Sequence, residues 1–165
     1  MQFKVGDAVV HPVYGVGQII RLDTKRFTGT EARQYYEVST QKTTVWVPVE
    51  THEAIGLRRL TNKPDLAAYR TLLTSHPVSL DKDHSRRRLE LAERMKQGSF
   101  QALCEMVRDL TARGWHKPLG AADAVSLRKA HDLLCQEWAA SKGESIPEAA
   151  QEVERLLSEA KRSHA

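Results

Sequence analysis

Three consecutive arginines, Arg86, Arg87 and Arg88, stand inside the stretch DKDHSRRRLELAERM, residues 81–95. The apolar spacing there is that of an amphipathic helix beginning near Ser85, so the arginines fall in its first turn. A helix N-terminus already carries partial positive charge, and each cation placed there costs roughly 0.3–1 kcal/mol unless an anion compensates. Two sources of compensation are open. Asp81, Asp83 and Glu90 can partly neutralise a solvated helix end, or nucleic-acid phosphates can do so, each arginine releasing a counterion on binding.

No other group of residues converges on chemistry. His131 and Cys135 are four apart on one helix and could face one metal, but a structural zinc site needs two further ligands. A core cysteine beside a surface histidine accounts for the pair. Gly15-Val16-Gly17 lies between strands, with no Walker lysine and no helix behind it, so glycines in a tight turn explain it. Acidic residues scatter over helix faces. Cys104 and Cys135 lie outside any CxxC spacing and are expected to be reduced and buried. The chain is therefore expected not to be an enzyme and to use no cofactor or metal.

Composition sets outer bounds. The chain has 165 residues, 41% hydrophobic and 28% charged, as in a globular protein of one or two small domains. Net charge is +4, and the basic excess is local. Lys and Arg outnumber Asp and Glu by 8 to 6 over residues 1–60, by 8 to 5 over 61–99, and trail 9 to 10 over 100–165. The middle segment, which holds the arginine triplet, is the basic one. No apolar run approaches the roughly 18–20 residues a membrane helix needs, and MQFKVGD lacks the halves of a signal peptide, so a cytoplasmic location is expected.

These residues must be positioned by elements of two kinds. Over residues 1–60, FKVGDAVVHP, VGQIIRLDTKRF, RQYYEVS and TTVWVPVE are short segments rich in β-formers, separated by glycines and polar turns. Val45, Val47 and Val49 fall on one face of the last segment, with Thr44, Trp46 and Pro48 on the other. Pro48 lacks an amide hydrogen, so this strand is an edge or ends there. Strands this short suggest a small twisted barrel. From TNKPDLAAYRTLL onward the period is helical, with Pro64 near a helix start. Helices are expected over 85–96, 99–113, 121–140 and from Ser145 to near Arg162, the last opened by a Ser145–Glu148 capping box. The fold class is α+β: a β-barrel over 1–60 followed by a helical domain of about five helices over 61–165.

The stretches FKVGDAVVHPVYGVGQI, VWVPVE with IGLRRL, and HSRRRLELAERMKQGS followed by CEMVRDL together resemble the CarD family of bacterial transcription regulators, including its CdnL branch. The resemblance runs nearly end to end. Its first motif also occurs in the polymerase-binding module of transcription-repair coupling factors, whereas the second half is particular to CarD. The resemblance implies an N-terminal Tudor-like barrel that docks on the RNA polymerase β subunit. It also implies a helical domain touching promoter DNA at the upstream edge of the minus-ten element, so that the open complex is stabilised without catalysis. Carried over by position, the polymerase-facing residues are Lys25, Arg26, Val45, Trp46, Val47 and Pro48, and the DNA-facing residues are His84, Ser85, Arg86, Arg87 and Arg88. The implied protein is a nucleoid-associated monomer with weak sequence preference.

Two positions depart from the family pattern. Many relatives have a wedging tryptophan where this chain has His84, and an imidazole buries far less apolar surface than an indole. The phosphate clamp is the part of the role that transfers. Trp46 replaces a residue that can be basic in relatives, so apolar packing would carry more of the polymerase contact; it is either an interface hot spot or a barrel-core side chain. Trp115 reads as a loop anchor and Trp138 as helical core. The alternative function is an adaptor whose arginines meet an acidic protein.

Overall fold

The computed structural model describes residues 2–27, 29 and 31–165. The chain divides into two compact units, Met1–Leu60 and Thr61–Ala165.

The first unit is an antiparallel five-stranded sheet of Tudor-like type. Its strands are β1 (Ala8–His11), β2 (Gly15–Lys25), β3 (Arg33–Thr40), β4 (Thr44–Pro48) and β5 (Arg58–Arg59), in the order β4-β3-β2-β1-β5. β4 is an edge and terminates at Pro48, as its missing amide hydrogen requires. A one-turn helix α1 (His52–Ile55) precedes β5; both are too short to show a period and were not legible in the sequence. Val9, Ile19, Tyr36, Val38, Val47 and Leu57 form the core with Phe3. Gly17 is needed for packing: a Cβ there would lie 2.7 Å from the Ser39 carbonyl oxygen and 2.9 Å from Val38 Cγ1. Gly15, at φ 79°, is the glycine the turn itself requires.

A β-bulge decides which β2 side chains face outward. The register runs from Ile19 opposite Val38 to Arg21 opposite Glu37, leaving Ile20 unpaired. Beyond it Leu22, Tyr36 and Val47 align on the core side, and Arg21, Glu37 and Trp46 align on the outer side. Without that extra residue Leu22 would face solvent.

The second unit is helical: a 3₁₀ turn (Lys63–Asp65), α2 (Leu66–Thr74), α3 (His84–Gln97), α4 (Phe100–Arg113), α5 (Ala121–Lys142) and α6 (Ile146–His164). Caps end the helices near where the sequence predicts. Ser99 Oγ accepts from Ala102 N, Gly98 follows α3 in the left-handed conformation, and the Ser145–Glu148 capping box is complete. α4 is buried on most sides, and with Leu66, Leu73, Leu134, Trp138, Val153 and Leu157 it forms the core. Trp138 is fully buried and its Nε1 donates to Glu152 Oε1 at 2.8 Å, which removes the desolvation cost of the indole N–H.

Candidate functional site

α3 begins at His84, with Asp83 as N-cap. The Asp83 carboxylate accepts from the Arg86 backbone N at 2.9 Å, satisfying one orphan amide of the first turn. The triplet therefore occupies the third to fifth helical positions. At 100° per residue its members cannot share a face, and they do not.

Arg86 and Arg88 are exposed, as are His84 and Ser85. Neither exposed guanidinium has a partner among the described residues. Arg87 is a correction to the sequence expectation: it is 5% exposed and turned into the unit. Its Nε donates to both carboxylate oxygens of Asp123 at 3.1 Å, its Nη1 to the carbonyls of Asp81 (3.0 Å) and Lys82 (3.3 Å), and its Nη2 meets His84 Nδ1 at 3.4 Å. A side chain buried to this degree, with four of its five N–H donors engaged, is not presented to a phosphate. The compensating anion for Arg87 is thus Asp123, in the first turn of α5 and 36 residues away.

Asp123 is 3% exposed and also accepts from Arg113 Nε at 3.2 Å, at the end of α4. One carboxylate thereby ties the ends of three helices together. None of the nearby acids performs that role. Asp81 accepts from Asp83 N, Asp83 caps the helix, and Glu90 pairs with Arg94 at 3.0 Å. Beside this cluster lies a cavity of about 300 Å³ lined by His84, Arg87, Arg113, Lys117, Gly120 and Asp123, among others. Asp109 is built the same way on α4, pairing with Arg94 at 3.3 Å and Arg108 at 2.8 Å. The Asp109 group is balanced by Glu90, which also pairs with Arg94, whereas the single carboxylate of Asp123 serves both Arg87 and Arg113.

On the sheet unit, Trp46 is 45% exposed, so the barrel-core alternative is excluded. Lys25 Nζ sits 4.1 Å from its ring centroid, a cation–π contact. Arg21 pairs with Glu37 at 2.6 Å beside it, and the hydrogen bond from Arg21 holds the Glu37 carboxyl below its ordinary range. Arg26 is exposed and Pro48 partly so. Val47, expected on the polymerase side, is a second correction. It is 2% exposed in the sheet core, and Val45 packs against the same core, because strand alternation sends both opposite to Trp46. Arg21, Glu37 and Tyr35 share the outer face with Trp46 and were missed; only the β2–β3 register, with its bulge, could have placed them there.

Among the described residues no group of three His, Cys, Asp or Glu side chains could hold a metal, and no helix is long and apolar enough to cross a membrane. Cys135 is buried, with burial pushing its thiol up to about 12, while neighbouring His131 pairs with Glu154 at 2.8 Å. Trp115 is partly buried and lines a second cavity of about 430 Å³.

Two regions of the chain match described families. Residues 3–61 match the CarD-like/TRCF RID domain, and residues 69–154 match the CarD C-terminal domain. The chain belongs to the CarD family of transcription regulators. It is 29% identical over 146 residues to a Bacillus subtilis (strain 168) protein named "Putative transcription factor YdeB", across 86% of this chain and 93% of that one.

Proposed function

We propose that this chain is a transcription regulator that binds the RNA polymerase β subunit through its sheet unit and promoter DNA through the start of α3. Bound at the upstream edge of the minus-ten element, it stabilises the open complex. The observation that carries the DNA half is the pair of outward guanidiniums, Arg86 and Arg88, at a helix N-terminus where no anion among the described residues pairs with them. A phosphate backbone relieves both that local repulsion and the dipole penalty. The polymerase half rests on family membership and on Trp46 presented along the open edge strand β4. An exposed edge strand can accept a partner's strand, and an exposed tryptophan is the residue type most enriched at binding hot spots.

Two weak contacts act together because the polymerase-bound unit raises the local concentration of the DNA-binding unit. The open complex is favoured only by the difference in affinity between open and closed promoter. One to two kcal/mol of such difference changes the equilibrium roughly five- to thirty-fold. Phosphate contacts carry no base information, so promoter selectivity is low.

The test is open-complex lifetime on promoter DNA with polymerase and either the full chain or its Arg86→Ala/Arg88→Ala variant, with polymerase binding measured in parallel. Loss of the lifetime effect with binding retained is expected. An unchanged lifetime, or loss of both, refutes the division of labour.

A further inference from the structure

The buried Arg87–Asp123 pair reaches one exposed residue of the candidate interface, His84. Arg87 Nη2 lies 3.4 Å from His84 Nδ1. A guanidinium has five N–H donors and no acceptor, so in this contact Nδ1 must be the acceptor and the imidazole proton must sit on Nε2. Nε2 has no partner among the described residues, and the His84 side chain is exposed. Arg87 in turn cannot swing away. Its Nε is held by both oxygens of Asp123, and its Nη1 by the carbonyls of the two residues at the approach to α3, Asp81 and Lys82. His84 and Arg87 also line the same 300 Å³ cavity as Asp123, so the network forms one wall.

We propose that Arg87, clamped by Asp123, is a positioning residue that fixes His84 with its Nδ1 turned inward and its Nε2–H turned outward as a hydrogen-bond donor to DNA. This rests on the DNA-binding function proposed above. It assigns His84 a polar task, donation to an acceptor on a phosphate or base edge, in place of insertion between bases. It also divides the triplet: Arg86 and Arg88 meet DNA directly, and Arg87 acts through its neighbour.

The experiment compares open-complex lifetimes for the full chain with polymerase and promoter DNA, first across substitutions of the exposed His84. His84→Gln retains an N–H donor near the Nε2 position and is expected to stay within about twofold of the unaltered protein. His84→Phe retains a ring without nitrogen and is expected to shorten the lifetime roughly fivefold, the usual effect of one lost hydrogen bond. Preservation of the effect by Phe, or equal loss with Gln and Phe, overturns the proposal. The positioning role is read from Arg87→Lys, which keeps the charge and loses the fork. It should match His84→Phe, and adding His84→Phe to it should cause little further loss; fully additive losses overturn the assignment. Should Arg87→Lys fail to fold, judged by circular dichroism, the Gln and Phe pair decides alone. The Arg86→Ala/Arg88→Ala variant run alongside separates the two levels. If it loses the effect while His84→Phe does not, only the His84 inference falls; if neither matters, the DNA-binding function falls with it. Promoters carrying 3-deazaadenine or a methylphosphonate at the contacted step distinguish a base-edge acceptor from a phosphate one.

Discussion

Replacing each arginine of the triplet singly by alanine should produce two unlike phenotypes. Arg87→Ala removes a side chain 6% exposed that pairs with a carboxylate 4% exposed, and breaking a buried pair by deleting one partner typically costs 3–5 kcal/mol. Asp123 keeps Arg113 at 3.2 Å, so it is not left wholly unpaired and the lower bound applies, about 3 kcal/mol. For a unit of this size each kcal/mol moves the midpoint by roughly 4–8 °C, so the helical unit should melt on the order of 12–24 °C lower, followed at 222 nm on the full chain. Arg86→Ala and Arg88→Ala, exposed and unpartnered, should stay within about 0.5 kcal/mol of the parent. Each should instead flatten the dependence of log affinity on log salt by about 0.9, the contribution of one phosphate contact. If Arg87→Ala melts within a few degrees of the parent, or lowers the salt slope as Arg86→Ala does, the buried pair is not what holds it.

Trp46→Ala should leave stability nearly unchanged, since the ring is half exposed, while weakening polymerase binding by ten-fold or more in a direct affinity measurement, about the effect of a hot spot. His11 Nδ1 accepts the amides of Val13 and Tyr14 at 3.0 and 3.3 Å, and burial lowers its pKa from 6.5. Its neutral form is favoured by folding, so its stabilisation is complete above pH 6.5 and is lost as pH falls through the lowered value; urea denaturation of the His11→Asn variant should show a weaker acid-side decline. Gly17→Ala should destabilise the sheet unit by about 1–3 kcal/mol, because the added carbon collides with the β3 backbone; denaturant midpoints check it.

Much of the molecule was legible from local signals. The alternation of Val45, Val47 and Val49 against Trp46 identified β4 and its two faces, and the Ser145–Glu148 box and Gly98 marked helix ends near their observed positions. These depend on neighbours within a turn or a strand, which a linear pattern contains. The boundary near residue 60 is visible for the same reason, as a change of period. The polymerase-side residues nonetheless took Val45 and Val47 together with Trp46, although the alternation puts them on opposite faces, and the structure buries Val47.

The sequence alone determined that a cluster of cations stands at a helix start with too few local anions, and that something must neutralise them. Tertiary structure decided what does so for each one. Arg87 finds Asp123 because α5 begins against the start of α3, a pairing across 36 residues that no periodicity encodes. The same applies to Arg21 and Glu37, whose place beside Trp46 follows from a single unpaired residue, Ile20, in the β2–β3 ladder. Periodicity reports which side of an element is apolar; a buried charge is matched only when two elements meet, and that depends on packing of the whole unit.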